Sequence, residues 1–424
     1  MILTIQPRDP LIVRDGRPFG AFPGAKVRSY AFPPPQVVAG AVRGRVGLHC
    51  GFGAAECEMW KSLLNKVRVA GPLLYNMHSG RLYFPAPLDA LLLKAQADEN
   101  TKDAQGVYRL YRLSPGPAPD GVLTNMPARL SELVWAPENM PRAKPETMPA
   151  FWNKESYFAW LEGEAPDKKP VRMQDLGISG PGVEYRTHVK VDENTQAAEE
   201  HMLFETSGLE FLTSKPRSEE NNNGSHNTLS TAEELAMLVR VEGEPPEGCE
   251  GKLAEALAGV HPIGGERRLA LWAAAQEDLW PANPPEGLIK KIQKSKQARV
   301  VLVTPADFNN VTINDAHREN NATPYIPRSG QIDGAPIHAA AVGRPLTVSG
   351  WDLLAGKPKP GRRLAPAGSV YFVNLSGKSE MEIEAWVKAR WMQALPEQPG
   401  QSQRDGYGIA VVGAVGGSDE QKTN

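Results

Sequence analysis

Apolar positions in this chain recur with a period of two more often than with a period near 3.6, so the sequence reads as strands interrupted by a few helices. The first residues, "ILTIQ" (2–6) and "LIVR" (11–14), read as short strands split by "PRDP". Three prolines then open a helix over about 35–49, where proline fits the first turn because its missing N–H would be unpaired anyway. A second helix follows over 54–66, then strands at 67–76 and 81–85. From about 95 to 180 the periodicity fades into Pro-rich, charged segments. One amphipathic helix stands out there, 152–164, with Phe151, Tyr157, Phe158, Trp160 and Leu161 as its anchors.

Alternation returns at "VEYRTHVKVD" (183–192) and "HMLFE" (201–205). Residues 214–231 are polar and Asn-rich, too poor in apolar side chains to pack a core. Beyond them the pattern predicts a strand (234–243), a helix near 251–258, a strand in "RLALWAA", a helix near 286–295 and a strand in "ARVVLVT". A long ordered loop is expected over 305–340, then a strand (368–375), a helix (380–394) and a last strand in "GYGIAVVG" (406–413). Helices fall between strands in both halves, which predicts an α+β protein of two split βαβ units. The expected division is an N-terminal domain over 1–213 with an insertion at about 95–180, a linker at 214–231, and a C-terminal domain over 232–424 ending in the glycine-rich segment 404–417.

Composition narrows the class. The 424 residues are 41% hydrophobic and 23% charged, values of a globular protein long enough for two cores. Cys50, Cys57 and Cys249 make no framework and no zinc spacing, so reduced, buried thiols in a cytoplasmic protein are expected, with no cofactor and no metal. No apolar run approaches the length of a membrane span.

The net charge of −2 conceals two basic ends. Arg8, Arg14, Arg17, Lys26, Arg28, Arg43 and Arg45 face only Asp9 and Asp15 in the first fifty residues, and Lys357, Lys359, Arg362, Arg363 and Lys378 stand in an acid-free run. Basic clusters with aromatic neighbours suit nucleic acid, the cations neutralising phosphates and the rings stacking on bases.

Catalytic motifs are missing: there is no P-loop, no HExxH and no GxSxG, and the GxG near the C-terminus enters a strand instead of opening a helix. His188 and Lys190 share one face of a strand, the one pair suited to metal-independent RNA cleavage. Three glycine features are left. In the opening helix Val38, Val42 and Val46 oppose Gly40, Gly44 and Gly47, with Arg43 at the glycine edge; that bare face admits either the protein's own chain or a ligand backbone. "HPIGGERR" sets Arg267 and Arg268 after a tight turn, and Gly406, Tyr407, Gly408 and Gly413 bracket the last strand. Successive N–H groups in such turns can hold an anion, and permissive hairpin glycines are the plainer reading.

Taken in order, "DPLIVRDGRPFG…FPPPQVVAGAVRG", "HVKVDENTQAAEEHMLFET", "IGGERR", "GRPLTVSGWDLLAGKPKPGRRLAPAGSVYF" and "GYGIAVVG" resemble the RAMP-superfamily subunit that caps the guide RNA 5′ end in type III-B CRISPR (Cmr) effector complexes. The resemblance implies two ferredoxin-like (RRM-like) units with a C-terminal glycine-rich loop. It implies a non-catalytic protein that binds the guide's 5′ handle and bridges the large palm-domain subunit to the backbone subunit in antiviral defence. On that footing the expected RNA-facing positions are Arg14, Arg17, Lys26, Arg43, Arg267, Arg268, Lys357, Lys359, Arg362, Arg363, Gly406, Tyr407, Gly408 and Gly413. The competing expectation is an endoribonuclease that matures repeat RNA through His188 and Lys190, and a third is a protein adaptor without RNA contact.

Overall fold

The strand Ile2–Pro7 is buried on both faces from Ile2 to Gln6, which marks it as central in a sheet. In the computed structural model it pairs antiparallel with Glu233–Glu242 on one side and Leu269–Ala275 on the other. The structure describes residues 1–15, 24–53, 57–95, 106–122, 130–138, 140–163, 170–213, 232–244, 253–308, 325–352 and 356–416. They form two compact units, 1–81 with 180–275 and 347–361, and 82–179 with 276–346 and 362–424.

In the first unit the strand order is Arg68–Asn76, Glu233–Glu242, Ile2–Pro7, Leu269–Ala275, Gly259–Pro262. The helix Pro35–His49 lies on Arg68–Asn76 and against the short helix Leu253–Leu257. Val38, Val42 and Val46 are its buried side, as the wheel predicts, each at 1% exposure or less. Gly40 and Gly44 face open space, whereas a Cβ on Gly47 would meet the Trp60 ring at 2.3 Å. The glycine stripe is therefore partly an internal contact and partly open.

In the second unit Gln297–Leu302 is the central strand, flanked by Val370–Asn374 and Ile409–Ala414 in the order Gln331–Ile332, Ala335–Ala341, Val370–Asn374, Gln297–Leu302, Ile409–Ala414, Gln393–Ala394. The helix Glu380–Arg390 starts with a capping box, Ser379 Oγ accepting from Glu382 N while the Glu382 carboxylate accepts from Ser379 N, and buries Ile383, Trp386 and Val387. The helix Lys154–Leu161 is capped by the Asn153 side chain, which accepts from Ser156 N, and buries Tyr157, Trp160 and Leu161. In both sheets the first of four core strands sits between the third and the fourth, with the second beyond the third.

The α+β class holds, but four local expectations change. The division at 214–231 is replaced by two interleaved units, because Leu212 and Thr213 pair with Glu234 and Glu233: the chain leaves and re-enters the first sheet at adjacent points. Residues 11–14 form only isolated bridges, Leu11 with Leu209 and Arg14 with Ser29. The expected loop over 305–340 contains the strands Gln331–Ile332 and Ala335–Ala341. Cys50 is half-buried and disulfide-bonded, not a reduced buried thiol.

Candidate nucleic-acid interface

Residues Gly182–Val191 and Ala198–Glu210 alternate as expected, and they pair along a ladder that makes one long antiparallel arm in the first unit. Its two faces differ. Glu184, Arg186 and His188 stand directly opposite Gly208, Thr206 and Phe204. On the other face Val183, Tyr185, Val189, Val191 and Leu203 are large apolar side chains left exposed, Tyr185 by 67%. The base of the arm, Thr206–Leu209, is buried, but beyond it both faces are largely solvated, so the outer part of the arm presents surfaces instead of burying them.

The polar face bounds two adjoining hollows. The larger, about 260 Å³, is lined by Ile12, Arg14, Val27, Phe204, Thr206, Gly265 and Glu266. The smaller, about 10 Å³ and so a notch no larger than a water, is lined by Pro10, Ile12, Glu184, Arg186, Thr206, Gly208 and Arg268. His188 stacks on Phe204 at 4.9 Å and 13°, and its Nε2 lies 2.8 Å from Thr206 Oγ1. Apolar walls, a planar ring pair and arginines at the rim are the parts that hold a base and its phosphate.

The turn Gly264–Arg268 closes the site. Gly264 has φ of 74°, and a Cβ there would come 2.7 Å from Ile12 O, while Gly265 N donates to that same oxygen at 2.7 Å. The glycines thus serve close packing on the chain's own backbone. Glu266 and Arg267 follow at φ of 55° and 52°, a left-handed conformation that side chains adopt at a cost and that recurs at ligand clamps. Arg267 is exposed and pairs with no carboxylate among the described residues.

Carboxylates are interleaved with these cations. Arg186 Nε donates to Glu184 at 2.6 Å and Arg268 donates to Glu266 at 2.7 Å. The Glu184 hydrogen bond holds the Arg186 guanidinium further up from its ordinary range, with Asp9 and Glu266 adding to the same field. The whole rim is therefore one electrostatic neighbourhood.

Of the expected RNA-facing residues, Arg14 lines the larger hollow and Arg268 the smaller, and Arg267 is exposed between Glu266 and Arg268 on the turn without lining either. Lys26 is close but not in the hollow: its neighbour Val27 lines the wall, and Lys26 pairs with Glu205 at 3.5 Å. Arg17 lies outside the described residues. Arg43 is corrected: it is 3% exposed and its Nε donates to Val67 O at 2.9 Å, because a long side chain flanking the buried valines turns inward to meet an interior carbonyl. Lys357 and Lys359 are exposed elsewhere in the first unit.

The second unit holds the remainder. Arg363 is exposed, but Arg362 donates to Asp307 at 2.7 Å and Ser402 Oγ at 2.9 Å and covers the Tyr407 ring. Gly406, Tyr407, Gly408 and Gly413 do not form a loop open to a ligand. Tyr407 is fully buried, and Gly413 lies in an interior strand where a Cβ would meet Leu161 and Arg299. For the cleavage alternative, Lys190 is tied to Glu199 at 2.6 Å while His188 is bound to Thr206, so the two do not converge on one point. Among the described residues no cluster of His, Cys, Asp or Glu is arranged to hold a metal, and no helix is long and apolar enough to cross a membrane.

Sequence reasoning missed Arg186, Phe204, Thr206, Glu184 and Glu266. The alternation in "VEYRTHVKVD" puts Glu184, Arg186 and His188 on one face, and that was the available signal.

The family model described as CRISPR-associated protein (Cas_Cmr3) matches residues 3–415. Among solved structures, a subunit of a type III-B Cmr-beta complex bound to cognate target RNA is similar at 12% identity and a TM-score of 0.47, covering 96% of this chain and 95% of that one. A second Cmr-beta structure, bound to cognate target RNA and AMPPnP, is similar at 13% identity and a TM-score of 0.44, covering 92% and 93%. A chain of a Csm3–Csm4 subcomplex of the type III-A interference complex is similar at 10% identity and a TM-score of 0.34, covering 87% and 92%. A comparison with curated proteins gives no match.

Proposed function

The chain belongs to the Cas_Cmr3 family of CRISPR-associated proteins, subunits of the type III-B Cmr complex, and from that membership we propose that it holds the 5′ handle of the guide RNA as a non-catalytic subunit. The observation that carries the reading is the two-faced arm of the first unit. Beside its polar face lie two adjoining hollows, one lined by Arg14 and by Phe204 of the His188–Phe204 stack and the other by Arg186 and Arg268, with Arg267 exposed on the same turn. Phosphate neutralisation and base stacking are both available there within one turn and one hairpin.

On this reading the strand order shared by the two sheets is that of two ferredoxin-like units, of the kind RNA-recognition modules use. The protein bridges the large palm-domain subunit to the backbone subunit. The exposed apolar side chains of the arm's other face, Val183, Tyr185, Val189 and Val191, supply contact surface for a neighbour.

Sequencing the RNA that co-purifies with the tagged full chain from its native host tests the proposal. Small RNAs sharing one 5′ sequence are expected, and Arg14→Glu with Arg267→Glu depletes them. Random RNA, or none, overturns it.

A further inference from the structure

Two glutamates stand where a polyanion site should least want them. Glu184 and Glu266 both line the hollows, one on the arm and one on the turn. Each takes a rim arginine, Arg186 at 2.6 Å and Arg268 at 2.7 Å. A site built only to grip phosphate gains from removing both carboxylates, since they halve the local positive charge and repel phosphate directly.

Two details say that the carboxylates are held for a purpose. Glu266 has φ of 55°, a conformation that glycine takes freely, in a turn that already has glycine at 264 and 265. The side chain is kept there against backbone preference. At Glu184 only Oε1 is engaged by Arg186; Oε2 is enclosed and has no hydrogen-bond partner among the described residues. An enclosed carboxylate oxygen without a donor is costly unless a ligand supplies one.

Bases carry such donors and phosphates do not: the exocyclic amino groups of adenine, cytosine and guanine can all give a hydrogen bond to a carboxylate, whereas uracil has no amino group and offers only its ring N3–H. We infer that Glu184 and Glu266 are the specificity residues of this cleft. They accept from amino-bearing bases of a bound single strand and repel backbone that arrives without them. The surface ion pairs to Arg186 and Arg268 hold the carboxylates in place while the site is empty and are weak enough to open on binding. This rests on the RNA-binding reading above.

The test compares two probes on the full chain: the guide RNA recovered from the native complex, and an oligouridine of equal length, which has no amino group. With Glu184→Gln and Glu266→Gln combined, oligouridine binding rises roughly ten-fold or more while guide RNA binding does not rise, because the loss of its hydrogen bonds to the carboxylates offsets the relief of repulsion, so discrimination collapses. A parallel rise for both probes reduces the glutamates to bulk charge and overturns the inference. No change for either probe makes the pairs merely structural and also overturns it. If the unaltered chain binds neither RNA, the RNA-binding reading itself fails, and that outcome is distinguishable because it needs no variant.

Discussion

Residues 261–268 and 404–413 are both glycine-rich segments with arginine close by, and they end in opposite environments. In the first unit the turn at Gly264 and Gly265 packs on Ile12 and releases Arg267 to solvent beside a hollow. In the second unit Gly406, Gly408 and Gly413 lead into and run within an interior strand, and the arginines near it are consumed by the protein. Arg299 is fully buried: it pairs with Asp89 and donates from Nε to Ala414 O at 2.9 Å and from Nη2 to Trp160 O at 2.7 Å. Asp89 also accepts from Trp160 Nε1 at 3.0 Å. The difference teaches that the glycines do similar work in both places, allowing close backbone approach, while the partners of the arginines separate a binding rim from a core.

The sharpest way to break that comparison is Arg299→Ala. It strands the buried Asp89 carboxylate and is expected to cost about 3–5 kcal/mol, read from denaturant unfolding. A loss below about 1 kcal/mol would mean that the second unit's arginines are not structural after all. Next come the glycines. Gly264→Ala and Gly408→Ala each force a side chain into left-handed backbone, at φ of 74° and 68°, and each is expected to cost about 1–3 kcal/mol. Similar losses at both sites confirm that the two segments differ in their arginines and not in their glycines.

Arg267→Ala is the counterpart on the rim. Unfolding is expected to stay within about 0.5 kcal/mol of the unaltered chain, while RNA affinity falls several-fold and the salt slope of binding shrinks by about 1. The smallest effect is predicted at Glu397. Burial, first of all, raises its carboxyl above the ordinary range, and the hydrogen bond from Asp333 N and the charge of Arg390 only partly offset this. A folded pKa above the unfolded one means that this group's contribution to stability is present at acid pH and lost as pH rises through the folded value. Glu397→Gln therefore raises thermal stability slightly at pH 7, and the gain closes as the pH approaches 4.5.

Much of this was legible in the sequence, and the illegible part has a consistent cause. Period-two and 3.6-residue patterns located most core strands and helices, since burial repeats at short range. The interleaving of the units was not visible, because 214–231 reads as a linker in the sequence and only the pairing of Leu212 with Glu234 reveals that the residues on either side of it share one sheet. Charge was read correctly as clustered but not as directed. Arg43 sits beside a bare glycine face in sequence, yet its guanidinium turns in to Val67 O. Arg362 likewise turns to Asp307, which is 55 residues away in the chain. Such choices depend on a carbonyl or carboxylate brought near by the fold, and no local spacing records them.

On the proposal above, RNA is met by the arm and turn of the first unit and not by the glycine-rich C-terminal segment. Ultraviolet crosslinking of the assembled complex to its guide RNA, with the crosslinked peptides identified by mass spectrometry, tests this most directly. Crosslinks are expected from the guide's 5′ end to peptides of this chain carrying Arg14, Arg186, Phe204 or Arg267. Crosslinks confined to the 404–416 peptide, or none to this chain at the guide's 5′ end, would contradict it.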